Sequence, residues 1–154
     1  MKFNKIYDDL INENLSDFEG YNTQAALEKE KDLKNVKHYS AIEDLDLNTL
    51  NRNKTIKEYG YGPLNPKDIK GSESFWADKA NMWETTPEIA KSARCKNCSM
   101  FNQTKEIMDR IAKGIGPKGK EIVKKADLGY CELFWFKCAG DRTCDAWIVG
   151  GPLK

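Results

Sequence analysis

One histidine, His38, and four arginines are all the imidazole and guanidinium in this 154-residue chain. A lone imidazole excludes metal sites built on histidine pairs and argues against a Ser-His or Cys-His nucleophile. No run approaches the roughly eighteen apolar residues of a membrane-spanning helix. The opening Met1-Lys2-Phe3-Asn4-Lys5-Ile6-Tyr7 has no apolar signal core, so export is not expected. Neither sign of charge dominates: 25 basic residues against 24 acidic ones leave a net +1. The clustered positive charge of a nucleic-acid footprint is missing. No internal repeat and no strand pattern longer than a few residues is visible. Gly114-Ile115-Gly116-Pro117-Lys118-Gly119-Lys120 superficially suggests a phosphate loop, but it lacks the Gly-Lys-Ser/Thr ending and a preceding strand.

What is present is unevenly spread. An apolar fraction of 40% and a charged fraction of 32% allow folding but make the chain polar for its size. The length suits one domain, or one domain with a long extension. All four tryptophans (Trp76, Trp83, Trp135, Trp147) and all five cysteines follow residue 70. The first seventy residues carry thirteen acids and eleven bases, net −2, and the rest carry eleven and fourteen, net +3. We therefore expect an extended, helix-containing arm over 1–70 and a compact module over 71–154. Phe3, Ile6, Tyr7, Leu10, Ile11 and Leu15 fall on one helical face, and a weaker helix is predicted over 23–36. Such stripes ordinarily mean packing; with little else nearby to bury them, the expected cover is a partner chain. Tyr59-Gly60-Tyr61-Gly62-Pro63-Leu64-Asn65-Pro66 cannot be a helix interior and reads as an extended linker with aromatic anchors.

In the module, Ser72 or Ser74 is expected to cap a short helix with Trp76, Ala80 and Trp83 on one face. Thr86-Pro87-Glu88 is a helix start: a capping hydroxyl, a proline in the first turn and an acid at the positive end. Thr104 opens a helix with Ile107, Met108 and Ile111 on its apolar face, stopped by Gly114. Residues 114–119 read as a loop and 122–126 as one more helical turn. From Gly129 onward, glycines and aromatics predict mostly turns. The chain's 21 Lys and 12 Asn, with A- and T-rich codons, point to an AT-rich source genome.

Cys95, Cys98, Cys131, Cys138 and Cys144 carry the chemistry. An odd count without an export signal disfavours a disulfide framework and favours metal. Cys95-Lys96-Asn97-Cys98 lets two thiolates converge from one tight turn, a spacing used by zinc, iron–sulfur and dithiol sites. No second C-x-x-C follows, which disfavours a four-cysteine zinc site, and no βαβ frame supports a thioredoxin-like dithiol. Cys98, Cys131 and Cys144 each place an aromatic residue three positions on (Phe101, Phe134 and Trp147), whereas Cys138 has Asp141 there. Aromatic walls keep water from a cluster without offering rival ligands. The same rings also serve as the ordinary core of a small domain, and both readings hold if that core is the cluster's shell. Phe101, Phe134, Trp135, Phe136 and Trp147 are the expected wall, with Trp76 and Trp83 behind. Because Phe134, Trp135 and Phe136 are consecutive, one of them faces away.

With C-K-N-C-S-M-F (Cys95–Phe101), G-Y-C-E-L-F (Gly129–Phe134) and C-D-A-W (Cys144–Trp147), residues 75–150 resemble the high-potential iron–sulfur proteins. The resemblance implies a module of turns and short helices around one [4Fe–4S] cluster. It implies Cys95, Cys98, Cys131 and Cys144 as ligands and places Tyr130 beside the cofactor with the aromatic wall. Cys138 has no counterpart and reads as a spare buried thiol. The stretch between Cys98 and Cys131 is longer than the family's, the first seventy residues have no equivalent, and no export signal matches the family's periplasmic location. Y-G-Y-G-P-L-N-P, A-N-M-W-E-T-T, A-R-C-K-N-C and R-T-C-D-A-W-I-V-G-G-P are also similar to high-potential-type proteins encoded by marine tailed bacteriophages. That resemblance implies a virion protein, made in the host cytoplasm, whose arm joins other virion structural proteins in a larger assembly. Neither nucleic acid nor membrane is an expected partner.

The expected function is therefore structural. About eighty residues bury a modest core, and a metal centre supplies missing stability. Four thiolates around a 2+ cubane carry −2, offsetting much of the module's charge. The alternatives are a one-electron carrier with the cluster near one surface, and a zinc-stabilised interaction module. An enzyme is not expected: no acid–base pair or nucleophile stands out, and four ligands leave no open position.

Overall fold

The computed structural model describes residues 38–154; the helices expected over 3–15 and 23–36 lie outside the described residues. A 3-10 turn at Ser40–Ile42 leads to α1 (Leu45–Tyr59), α2 (Glu73–Met82) and α3 (Pro87–Ala90). A second 3-10 turn at Cys95–Asn97 precedes β1 (Phe101–Asn102), α4 (Lys105–Ile115), α5 (Gly119–Lys125), β2 (Leu128–Cys131) and β3 (Phe136–Ala139). The strands pair antiparallel in the order β1-β2-β3. The expectation of helices and turns alone is corrected: the fold is mixed, and the stretch after Gly129 forms two of its strands. Strands of two to four residues are too short to display a period in the sequence.

Register decides what each face of the sheet carries. Cys131 pairs with both Phe101 and Phe136, and Gly129 pairs with Cys138. Alternation then puts these five residues on one face and Asn102, Tyr130 and Lys137 on the other. Against the second face lies an aliphatic core of Ala41, Ile42, Ile107, Ile111, Ala112, Val123 and Tyr130. α4 contributes the predicted stripe, with Ile107 and Ile111 buried and Met108 at the edge. The helix runs through Gly114 and stops at Gly116, whose φ of 114° favours glycine. A smaller core joins Trp76 and Ala80 of α2 to Ala90 of α3, with Trp83 at its edge. Thr86 caps α3 as predicted, Oγ1 accepting from Ile89 N at 3.3 Å. Ser72 and Thr104 precede α2 and α4 without capping them through their side chains. Among the described residues no helix is long and apolar enough to cross a membrane.

Residues 38–63 pack against this fold, where an extended arm reaching to residue 70 was expected. Ala41 and Ile42 are fully buried in the aliphatic core. The Glu132 carboxylate gathers the His38 ring, Tyr39 Oη at 2.9 Å and Asn102 Nδ2 at 2.5 Å. Tyr130 Oη donates to the His38 carbonyl. α1, which the apolar pattern does not announce, is capped by Asp44, Oδ1 accepting from Leu47 N at 3.0 Å. It docks through a polar face. Asn48 Oδ1 accepts from Lys137 N at 2.8 Å, and Asn51 Nδ2 donates to the Trp135 carbonyl at 2.7 Å. These contacts satisfy backbone groups along the outer edge of β3. The helix ends at left-handed Gly60, φ 57°. The next residues form a strap rather than a linker. Gly62 and Thr143 exchange backbone hydrogen bonds of 3.0 and 2.7 Å, and the buried Tyr61 hydroxyl accepts from Ala139 N.

Two outcomes follow from this packing. Ile42→Ala should cost about 2–5 kcal/mol in chemical denaturation; an unchanged midpoint would mean that the segment lies outside the folded unit. Burial pushes the Glu132 carboxyl up, but hydrogen bonds from His38, Asn102 and Tyr39 outweigh it and hold it below the ordinary range. A depressed folded pKa contributes stability that is complete above the unfolded value and is lost as pH falls through the folded one. Glu132→Gln should therefore flatten the fall of Tm between neutral pH and about pH 3. An equally steep acid limb in the variant would assign the acid loss to other groups.

Candidate metal centre

Four chain segments bring the cysteines together. The 3-10 turn carries Cys95 and leads directly into Cys98. The two residues between them are not passive, because Asn97 organises the turn. Its Oδ1 accepts from Arg94 N at 3.0 Å and from Trp147 Nε1 at 3.0 Å, and its Nδ2 donates to the Ser92 carbonyl at 2.8 Å. One side chain thus fixes both the C-x-x-C turn and the Trp147 ring. Cys131 ends β2 and Cys138 lies in β3. Cys144 is held by its neighbours: Thr143 pairs with the strap at Gly62, and Asp145 N donates to the Tyr59 carbonyl at 2.8 Å. The Asp145 carboxylate forms a buried ion pair with Lys79 of α2 at 2.5 Å.

All five thiols line one cavity, closed further by Met100, Phe101 and Trp147. Cys138, expected to stand apart, is among them. The surrounding apolar cluster also contains Tyr61, Phe134 and Phe136. Of the predicted wall, Phe101 and Trp147 line the cavity, and Phe134 and Phe136 pack in the apolar cluster around it. Tyr130 and Trp135 are not: Tyr130 belongs to the aliphatic core, and Trp135 packs against that core with its ring 4.9 Å from the His38 ring. Trp135 is the residue of its aromatic triplet that faces away. It adopts a left-handed φ of 58°, with its carbonyl held by Asn51. Trp83 lies 6.3 Å behind Trp147, whereas Trp76 sits in the separate core with Ala80 and Ala90. Tyr61 and Met100 were missed. Tyr61 had only the weak signal of an aromatic between two glycines, and Met100 had none beyond its place beside Cys98.

Burial raises the Cys98, Cys131, Cys138 and Cys144 thiols above their ordinary range. Neighbouring cysteines push Cys131 and Cys144 further in the same direction. Without metal these groups are neutral thiols, and ligation would release their protons. Backbone N–H groups oppose this rise, those of Ile148 and Met100 at Cys98, of Phe134 and Leu133 at Cys131 and of Ala146 at Cys144; Phe134 N donates to Cys131 Sγ at 3.3 Å. Such donors stabilise thiolates and tune cluster potentials.

The donor set and the space can be tested against candidate metals. Among the described residues, no three His, Cys, Asp or Glu side chains close in tightly enough for a single metal ion. A zinc ion needs four ligands at about 2.0–2.3 Å from one point. A cubane takes its four thiolates at separate corners and therefore from farther apart. Thiol-only donors and aromatic walls are the lining that a cubane needs. No family model matches the chain, and comparison with curated proteins and with solved structures returns no match.

Packing on the cysteine face of the sheet is close at Gly129. A Cβ there would lie 2.6 Å from the Phe101 ring, which covers the strand. Gly129→Ala should cost about 1–3 kcal/mol by overpacking and shift near-ultraviolet aromatic dichroism. Wild-type stability in this variant would mean that Phe101 does not lie across β2.

Proposed function

We propose that this chain is an iron–sulfur protein holding one [4Fe–4S] cluster, and that the cluster is the structural nucleus of a virion component. The observation that carries the first part is one cavity lined by all five thiols, brought there by four separate chain segments. Cys98, Cys131 and Cys144 each hold a corner, and Cys95 is the fourth ligand implied by the C-x-x-C turn. Phe101, Phe136 and Tyr61 exclude water, and Trp147 closes the outer side. When bound, the cluster supplies metal–thiolate bonds that tie these segments together and a one-electron couple. The structural role is supported by the make-up of the sulfur cluster among the described residues, which is rings and thiols with Met100 at its edge, whereas the opposite face of the sheet has an aliphatic core. The virion assignment rests on the resemblance of Tyr59–Pro66 and of the cysteine motifs to phage-encoded high-potential-type proteins.

A one-electron carrier is the second reading. It is favoured by the partial burial of Cys131, Cys144 and Trp147, which brings one side of the cavity towards the surface.

Protein purified without oxygen should be brown and contain iron and inorganic sulfide in equal amounts. Zinc alone overturns both readings. Oxidative removal of the cluster separates them: far-ultraviolet dichroism should collapse if the cluster is the nucleus. A cluster-free protein that keeps its helices, together with a reversible couple in the holoprotein, would favour the carrier.

A further inference from the structure

A second cavity, of about 320 Å³, opens where residues 65–67, the end of α5 and the turn after β3 meet. It shares no lining residue with the sulfur cavity. Its charge is one-sided. Lys67, Lys125 and Arg142 line it against a single carboxylate, Asp141, so three positive charges less one leave +2. That carboxylate is already engaged by Lys96 at 3.0 Å, and among the described residues none of the three cations has an acidic partner. Arg142 is fixed before anything binds. Its N–H donates to the Ala139 carbonyl at 3.1 Å, and its own carbonyl accepts from Cys95 N at 2.7 Å. Nη2 donates to the Leu64 carbonyl at 3.1 Å, and the guanidinium carbon lies 5.6 Å from the centre of the Tyr61 ring. Its Nε is buried without a hydrogen-bond partner. A buried guanidinium N–H left unpaired is costly, and an oxyanion is the partner that fits it. Lys67 is placed by an Asx turn, its N donating to Asn65 Oδ1 at 3.2 Å. Two of the last carbonyls of α5, which would repel an anion, are taken by Ala126 N and Asp127 N.

We propose that this cavity binds a small organic phosphate. The phosphoryl group matches the cations in charge, since a dianion neutralises the net +2 whereas a carboxylate leaves half of it. Arg142 offers its fork of donors to phosphoryl oxygens, and Lys67 and Lys125 act on the others as point charges. The volume exceeds that of a bare phosphate ion and lies at the lower end of small-molecule sites. The carbon part of the ligand then covers the hydrocarbon of Pro66, Ile122 and Ala126, which completes the lining. The site stands on its own residues and does not depend on what the cysteines hold.

The test is calorimetric titration of the full chain, purified without oxygen, with phenyl phosphate, inorganic phosphate and benzoate. The titrations are run at about pH 7.5, where a phosphoryl group is dianionic. Phenyl phosphate should bind once per chain and about tenfold more tightly than either of the others. Arg142→Gln should weaken it about tenfold, through loss of a charge-assisted hydrogen bond. Lys125→Gln, a change at an exposed side chain, should weaken it about threefold. Three results overturn the proposal: no saturable binding of phenyl phosphate up to about 10 mM, benzoate or inorganic phosphate binding as tightly, or wild-type affinity in both variants. If Arg142→Gln does not fold, Lys125→Gln decides alone.

Discussion

Strand alternation is the constraint on which the rest of this molecule depends. In β2 and β3 the odd and even positions belong to different cores: Cys131, Phe136 and Cys138 turn to the sulfur side, while Tyr130 and Lys137 turn to the other. A one-residue slip in this pairing would exchange the two sets and put thiols among aliphatic side chains. Several features hold the register against such a slip. Gly129 admits the Phe101 ring above it. Asn48 and Asn51 grip the backbone of Lys137 and Trp135 from outside. Tyr130 reaches through the aliphatic core to the His38 carbonyl. The sheet is small, but both halves of the fold are organised by which way its side chains point.

The sequence made the loudest parts of this arrangement legible. The Cys95-to-Cys98 turn, the α4 stripe at Ile107 and Ile111, and the Thr86-Pro87 helix start depend on local spacing, and local spacing is what a chain displays. Three features stayed hidden for separate physical reasons. α1 was silent because its docking side is polar: Asn48, Asn51 and Thr55 recur at helical spacing, while Leu45 and Leu50 point to solvent. The strap was misread because glycine and proline are signs of both flexible linkers and tightly specified turns. Here Gly60 takes a left-handed conformation, and Gly62 lies so near the Phe75 ring that a Cβ would sit 2.9 Å from it. Cys138 was set aside because it lacks the aromatic three residues on. Its side of the sheet depends on pairing with Gly129, which no pattern local to Cys138 contains.

The same limit explains Tyr130 and Trp135. Both flank a cysteine-bearing stretch and both are aromatic, so proximity in sequence placed them at the cofactor. Tyr130 is adjacent to Cys131 in a strand, and adjacency in a strand means opposite faces. Trp135 follows a turn in which its own left-handed backbone redirects the chain between Phe134 and Phe136. In each case the local conformation, not the residue type, decides which core receives the ring.

The two cores differ in what holds them. On the aliphatic side, Ile42, Ile107, Ile111 and Val123 bury hydrocarbon, which supplies free energy with little geometric demand. On the sulfur side the anchors are mostly polar: Lys79 with Asp145, Asn97 with Trp147, and Gly62 with Thr143. A buried ion pair specifies geometry better than it adds stability, because desolvation offsets much of the attraction. Backbone pairs and amide caps likewise contribute about 1 kcal/mol each net of solvation. These contacts set the positions of the cysteine loops, while the apolar burial around the sulfurs comes from rings, with Phe101 and Phe136 fully buried and Tyr61 nearly so. The two faces of the sheet therefore divide by residue type as well as by anchor: aliphatic side chains on one, aromatic rings and thiols held by polar contacts on the other.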